Sequence, residues 1–150
     1  MTLPPLFIVV EDGAEYTERF TRFLGHEARF LRALDFAAAL ASARVEPAAG
    51  LLLDLDFRRA PAAALVDEAG ATGAARAEDE RRRLSEVQGI LILRALRGAG
   101  VVLPALLFAD LDDPDQLRFV RETLAPVRIV PSSAGLAEIR AHLRAARGGG

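Results

Sequence analysis

Four short apolar runs, Leu6–Val10, Gly50–Leu55, Val101–Phe108 and Val127–Val130, alternate with segments whose apolar residues recur at helical spacing. A run that is apolar at every position needs cover on both faces, so this alternation restricts the chain to a parallel sheet sandwiched between helices. Tyr16, Phe20, Phe23 and Leu24 fall on one helical face, predicting a helix from about Ala14 to Leu24 that leaves Glu15, Glu18, Arg19 and Arg22 outside. Gly25 ends it. The segment His26–Leu31 is less apolar than the other runs and is predicted to be a short strand near a sheet edge. Asp35 has the chemistry of an N-cap for an alanine-rich helix through about Ala43, which Pro47 and Gly50 terminate.

Further along, Ile90, Leu91, Leu93, Leu96 and Arg97 suit a third helix ending at Gly98–Gly100. Pro114–Leu124 suits a fourth, behind Asp112 and Asp113, and Leu136–Ala146 a fifth. The order β-α-β-α-β-insert-α-β-α-β-α predicts a doubly wound, five-stranded parallel sheet with helices on both faces, a flavodoxin-like layout. One domain over residues 1–147 is expected, with Gly148–Gly150 as a flexible tail. An insert of about residues 58–84 lies between the third strand and the third helix, a length of connection usually tied to function or mobility. Within it, Ala74–Val87 could extend the third helix backwards, since Glu80 and Arg83 are spaced for helical pairing.

Composition removes several function classes. A hydrophobic fraction of 51% over 150 residues is ample for one core, and a net charge of −2 argues against nucleic acid as a partner. Cysteine is absent, which excludes disulfides, thiol catalysis and thiolate metal sites, and all 19 basic residues are arginine, which excludes any lysine ammonium. The N-terminus lacks the basic stretch and long apolar run of a secretory signal, and no apolar segment approaches the ~20 residues of a membrane span. The expectation is a cytoplasmic protein that does not engage a membrane.

The first and second runs end in acid, giving Glu11 and Asp12 after the first and Asp54 in the second, after Leu51–Leu53. Parallel sheets gather ligand chemistry at the carboxyl ends of their strands, so these carboxylates are expected to share one pocket. Such a pocket suits a weakly held Mg²⁺, because a hard cation takes oxygen ligands and offsets carboxylate repulsion. Capping of the first helix and complementarity to its dipole account for Glu11 and Asp12 equally well, without a metal.

Phe7–Asp12, Leu51–Leu55 and Leu103–Ala109, in this order and spacing, resemble the receiver domain of bacterial two-component response regulators, and Gly25–Ala41 follows the same pattern. The resemblance covers nearly the whole chain outside the insert. It implies that Asp54 is the phosphoacceptor and that Glu11, Asp12, Asp54 and the backbone carbonyl of Asp56 hold Mg²⁺. A histidine kinase would then be the phosphoryl source, with the carboxylate as nucleophile and the metal offsetting phosphoryl charge.

Two positions depart from the family pattern. A Ser or Thr is expected at the end of the fourth strand, where this chain has Ala109, and a Lys before proline at the end of the fifth, where it has Val130 before Pro131. Val127 stands at the aromatic switch position. Losing a charge-assisted contact costs ~1.5–3 kcal/mol, so the resemblance implies an atypical or pseudo-receiver: a non-enzymatic protein-interaction module for a signalling or assembly partner. The alternative is a phosphorylatable receiver that uses Asp54 with Mg²⁺. A third reading takes Asp54 and Asp56 as nucleophile and general acid of a haloacid-dehalogenase-like phosphatase, which the resemblance of Leu51–Asp56 to that family's first motif suggests.

Other residues carry weaker expectations. Glu78–Arg83 is either a solvated helical face or an arginine cluster for an acidic partner. Leu65 and Val66 either pack back on the sheet or offer a docking surface. Leu117, Val120 and Leu124 could join a partner or homodimer interface, although core burial explains them equally. Asp110, Asp112, Asp113 and Asp115 either extend the acidic pocket or serve a helix start, Ser132 and Ser133 either lend hydroxyls near the vacated lysine position or cap a loop, and His26 and His142 are expected in surface or edge roles.

Overall fold

Every residue of β1 (Leu6–Val10) is buried, because the strand lies inside the sheet with helices on both sides. The computed structural model describes residues 3–73 and 76–148. β2 (Arg29–Ala33), β3 (Gly50–Asp54), β4 (Ala105–Phe108) and β5 (Val127–Val130) complete a wholly parallel sheet in the order β2-β1-β3-β4-β5. This is the flavodoxin-like order expected from the sequence. The two edge strands carry the arginines Arg29, Arg32 and Arg128, charges that discourage edge-to-edge pairing.

Alternation along the strands divides the core into two. Ile8, Val10, Leu51, Leu53 and Leu107 face α2 (Phe36–Val45), α3 (Glu78–Glu86), α4 (Gln88–Gly98) and α5 (Pro114–Thr123). Phe7, Val9, Leu52, Leu106 and Phe108 face α1 (Glu15–Leu24) and α6 (Leu136–Gly148). The caps fall where the sequence places them: Asp35 accepts from Ala38 N at 2.8 Å and Asp113 from Asp115 N at 2.9 Å. Among the described residues no helix is long and apolar enough to cross a membrane.

Several boundaries differ from the expectation. β2 starts at Arg29 instead of His26, because Glu27 N and Ala28 N both return to Leu24 O and prolong the turn after α1. β4 starts at Ala105 instead of Val101, because Arg97 claims the carbonyls that a strand would use. Its guanidinium donates to Val101 O and Leu103 O at 3.0 and 2.7 Å, and to Leu124 O and Pro126 O at 3.0 and 2.9 Å. α6 takes in Gly148, and residues 149–150 lie outside the described residues. His142 is buried, not superficial, whereas His26 is exposed.

The insert is anchored to the core at a few positions, and most of its described residues are exposed or half-buried. Phe57, Ala60, Leu65 and Val66 are buried with the α2–α5 face, which corrects the view of Leu65 and Val66 as a docking surface. The fully buried Gln88 pins this segment, accepting from Val66 N at 2.8 Å and donating to Val66 O and Leu84 O at 3.1 and 3.2 Å. α3 does not run on into α4, because Val87 leaves helical geometry at φ −125°, ψ 19°; the first residues of the expected extension, 74 and 75, lie outside the described residues. The charged run is used internally, with Arg81 paired to Glu78 and Arg83 to Glu80 and Glu68. Val120 and Leu124 are core residues, which leaves only Leu117 of that trio partly accessible.

Candidate functional site

Parallel strands place Glu11, Asp12, Asp54, Ala109 and Val130 at one edge of the sheet. Asp54 is paired in register with Phe108, and Val10 with Leu53, so the acids following β1 emerge beside the end of β3. The pocket anticipated from the sequence is therefore one place in the fold. Its carboxylates are engaged differently from one another.

Glu11 is buried and turned toward α1, whose N-cap residue Ala14 offers no side-chain acceptor. Its carboxylate accepts from Tyr16 N at 3.1 Å, Thr17 N at 2.8 Å and Thr17 Oγ1 at 2.6 Å. Three donors at a helix N-terminus satisfy both oxygens and match the helix dipole. Asp12 accepts from Arg59 N at 2.8 Å, and the Arg59 guanidinium lies 3.7 Å from its other oxygen. The same guanidinium pairs with Glu15 at 2.8 Å, holding that carboxyl down at about 2. A Cβ at Gly13 would fall 2.2 Å from Glu15 Oε2 and 2.4 Å from Arg59 Nη2, both the far ends of flexible side chains.

Asp54 is half-buried and accepts from Leu55 N at 2.9 Å. Burial, with the charges of Asp12, Glu11 and Asp56 adding to it against the Leu55 hydrogen bond, raises its pKa to about 6. Asp56 Oδ2 pairs with Arg58 Nε at 2.7 Å, while Oδ1 is buried without a partner. Tyr16 forms the inner wall, stacked on Phe108 at 4.7 Å with the rings 17° apart. Burial and the charges of Asp54 and Glu11 push its phenol up to about 12.

As a divalent-cation site this arrangement does not fit. Glu11 is engaged by three donors of α1 and Asp12 already faces a cation, so of the expected ligands only Asp54 and the backbone carbonyl of Asp56 are not committed to another element. Among the described residues no group of three or more acids or histidines is disposed to hold a metal ion. On the far side of Asp54, Ala109 follows β4 and Val130 ends β5, and Ala109 N donates to Val130 O at 2.9 Å. Just beyond, Asp110 accepts from Ser132 N at 3.1 Å and from the Ser132 hydroxyl, which ties these two strand ends together. Asp110 thus does not join the acid pocket, and Ser132 caps its loop through that carboxylate.

Arg58, Arg59, Tyr16 and Thr17 were not anticipated as parts of this site. Tyr16 and Thr17 follow from the acid pair, since a carboxylate just ahead of a helix can cap it. The partners of Arg58 and Arg59 carry no local signal, because Arg59 meets Asp12 across 47 positions of sequence.

No protein-family model matches the sequence, and no curated protein matches it. Solved structures do. A response regulator receiver protein from Pseudomonas putida superposes with a TM-score of 0.67 at 13% identity, over 97% of this chain and 99% of that one. The signal receiver domain of a signal transduction histidine kinase from Syntrophus aciditrophicus gives 0.66 at 14% identity, over 97% and 91%. The receiver domain of a Francisella response regulator gives 0.65 at 13% identity, over 95% of each chain. The fold is that of the receiver domain.

Proposed function

We propose that the chain is a receiver-fold signalling module that acts through protein contacts and not as an enzyme, and that Asp54 does not operate as a phosphoryl switch. One observation carries this reading: the strand ends beside Asp54 present Ala109 and Val130, methyl groups where phosphoryl chemistry needs a hydroxyl and a cation. A phosphoryl group on Asp54 would add about −1.5 to −2 charges at neutral pH beside Glu11, Asp12 and Asp56. The nearby arginines are already committed, Arg58 to Asp56 and Arg59 to Asp12 and Glu15. The contact surface we favour is the hollow between α5 and the end of β5, which Leu117, Arg121, Ile129 and Pro131 line. The phosphatase alternative would take Asp56 as general acid, a carboxylate that is here paired through one oxygen with Arg58.

The test is an amide NMR titration of the parent and Asp54→Ala with Mg²⁺ and then beryllofluoride, followed by incubation with acetyl phosphate. Spectra that do not respond to beryllofluoride, and no acyl phosphate by mass, are expected. Saturable shifts that need Asp54 and reach β5 would establish the phosphorylatable receiver instead.

A further inference from the structure

Three apolar side chains stand far out of the surface: Val45 is 83% exposed, Leu3 73% and Val102 69%, more than any other large apolar residue among the described ones. They share one place in the fold. Leu3 leads into β1, Val45 lies ahead of β3 and Val102 ahead of β4, so all three sit at the amino-terminal rim of the three central strands. Backbone bonds knit that rim, with Arg29 N donating to Pro5 O, Ala49 N to Leu6 O and Leu51 N to Pro104 O. Arg44 stands at the same rim in the last turn of α2, and Arg128 near the start of β5. Both arginines are exposed.

The carboxyl rim has the opposite character. Asp110, Asp112, Asp113 and Asp115 follow β4 there, all of them exposed, and Leu111, Pro114 and Pro131 add accessible apolar surface beside them. Neither these aspartates nor Arg44 and Arg128 form an ion pair among the described residues. Helix dipoles favour acids at helix starts and arginines at helix ends, which explains part of this sorting of charge. They leave Leu3, Val45 and Val102 without a reason, and exposed apolar groups clustered among charges mark a contact surface.

We propose that copies of this chain stack end to end, the amino-terminal rim of one seated on the carboxyl rim of the next. Leu3, Val45 and Val102 are then covered by the Leu111, Pro114 and Pro131 surface of the neighbour, and Arg44 and Arg128 meet its unpaired aspartates. A second copy is the occupant that the charges select, because the chain itself carries both complementary surfaces. The two surfaces differ and lie at opposite ends of the strands, so the contact is head to tail and does not close at two copies. The stack requires nothing of Asp54, so it stands or falls apart from the reading of that residue above.

Sedimentation velocity on the full chain over a range of concentrations is the test. The weight-average coefficient is expected to climb past that of a dimer, with half-association on the order of 100 μM. Association is expected to weaken about tenfold as salt rises from about 0.01 to about 0.15 M, which cuts the screening length from about 30 to about 8 Å. Val45→Glu with Val102→Glu disables one rim and Asp112→Asn with Asp115→Asn the other, all four at exposed positions. Each double variant is expected to associate about tenfold more weakly than the parent. Mixed, the two variants still hold one intact rim each, and they are expected to form a dimer at the parent's affinity and nothing larger. A parent chain that stays monomeric, a parent dimer that closes at two, variants that associate as the parent does, or a mixture that gains no dimer would each overturn the inference. So would capture of the parent by anionic phospholipid vesicles without self-association, which would assign the amino-terminal rim to a membrane surface. If a variant does not fold, the concentration and salt dependence of the parent decide alone.

Discussion

The backbone N–H of Arg59 donates to Asp12 Oδ2 at 2.8 Å while its guanidinium stands 3.7 Å from Oδ1, so one residue from the loop after β3 occupies both oxygens of an acid from the loop after β1. The cation that neutralises this pocket is supplied by the chain itself. Arg59→Ala keeps the backbone bond and removes the charge, and it is expected to raise Mg²⁺ affinity about tenfold as opposed charge is replaced by bare carboxylates. Tyr16 is the sole tyrosine and there is no tryptophan, so intrinsic fluorescence during a Mg²⁺ titration reads this pocket directly.

Asp54 has its pKa raised from 3.8 to about 6, so the folded chain holds that proton more tightly than the unfolded chain does. Its contribution opposes folding above about pH 6, fades as pH falls through that value and vanishes below about 4. A rise of two units amounts to roughly 3 kcal/mol in full, and partial exposure screens it to about 1–2 kcal/mol. Asp54→Asn, which keeps an acceptor for Leu55 N, is therefore expected to stabilise the chain by about that much at pH 7.5 and by nothing at pH 4. Urea unfolding at the two pH values measures it. The same substitution lowers the Tyr16 pKa from about 12, as ultraviolet titration of the phenolate will show.

Gln88 has the opposite role, that of a polar group whose burial is fully answered. Gln88→Ala strips Val66 N and Val66 O of their partner and is expected to cost about 2–3 kcal/mol. Limited proteolysis should then cut within residues 58–73, which hydrogen exchange would show opening ahead of the sheet.

Gly89 gives the sharpest steric expectation. A Cβ there would lie 2.0 Å from the Asp54 carbonyl oxygen, at the point where Gly89 N donates to Leu55 O at 3.0 Å. Gly89→Ala must push α4 away from the end of β3, at a cost of about 1–3 kcal/mol. Thermal denaturation gives the loss, and the amide shifts of Asp54 and Leu55 locate it.

These residues also show where sequence stops informing. Strand β1 and the Asp35 and Asp113 caps could be read from local pattern, because burial on both faces and helix capping leave a mark within a few positions. The gathering of Glu11, Asp12 and Asp54 followed from parallel topology alone. What those acids touch did not: Thr17 competes with any ligand for Glu11, and Arg59 reaches Asp12 through a tertiary contact. The irregular backbone before α3 has no period, so its burial through Leu65, Val66 and Gln88 had no signature beyond a few apolar letters. His142 was misjudged for a related reason, since one histidine on a helix gives no sign of which face it occupies.

Arg97 fastens the carbonyls of Val101, Leu103, Leu124 and Pro126, and by doing so joins the two connections that lead into β4 and β5. At the other rim, those strands emerge into loops held by the exposed Asp110 and Ser132. The pair β4–β5 is in this sense braced at both rims, by an arginine where the strands begin and by a carboxylate where they end.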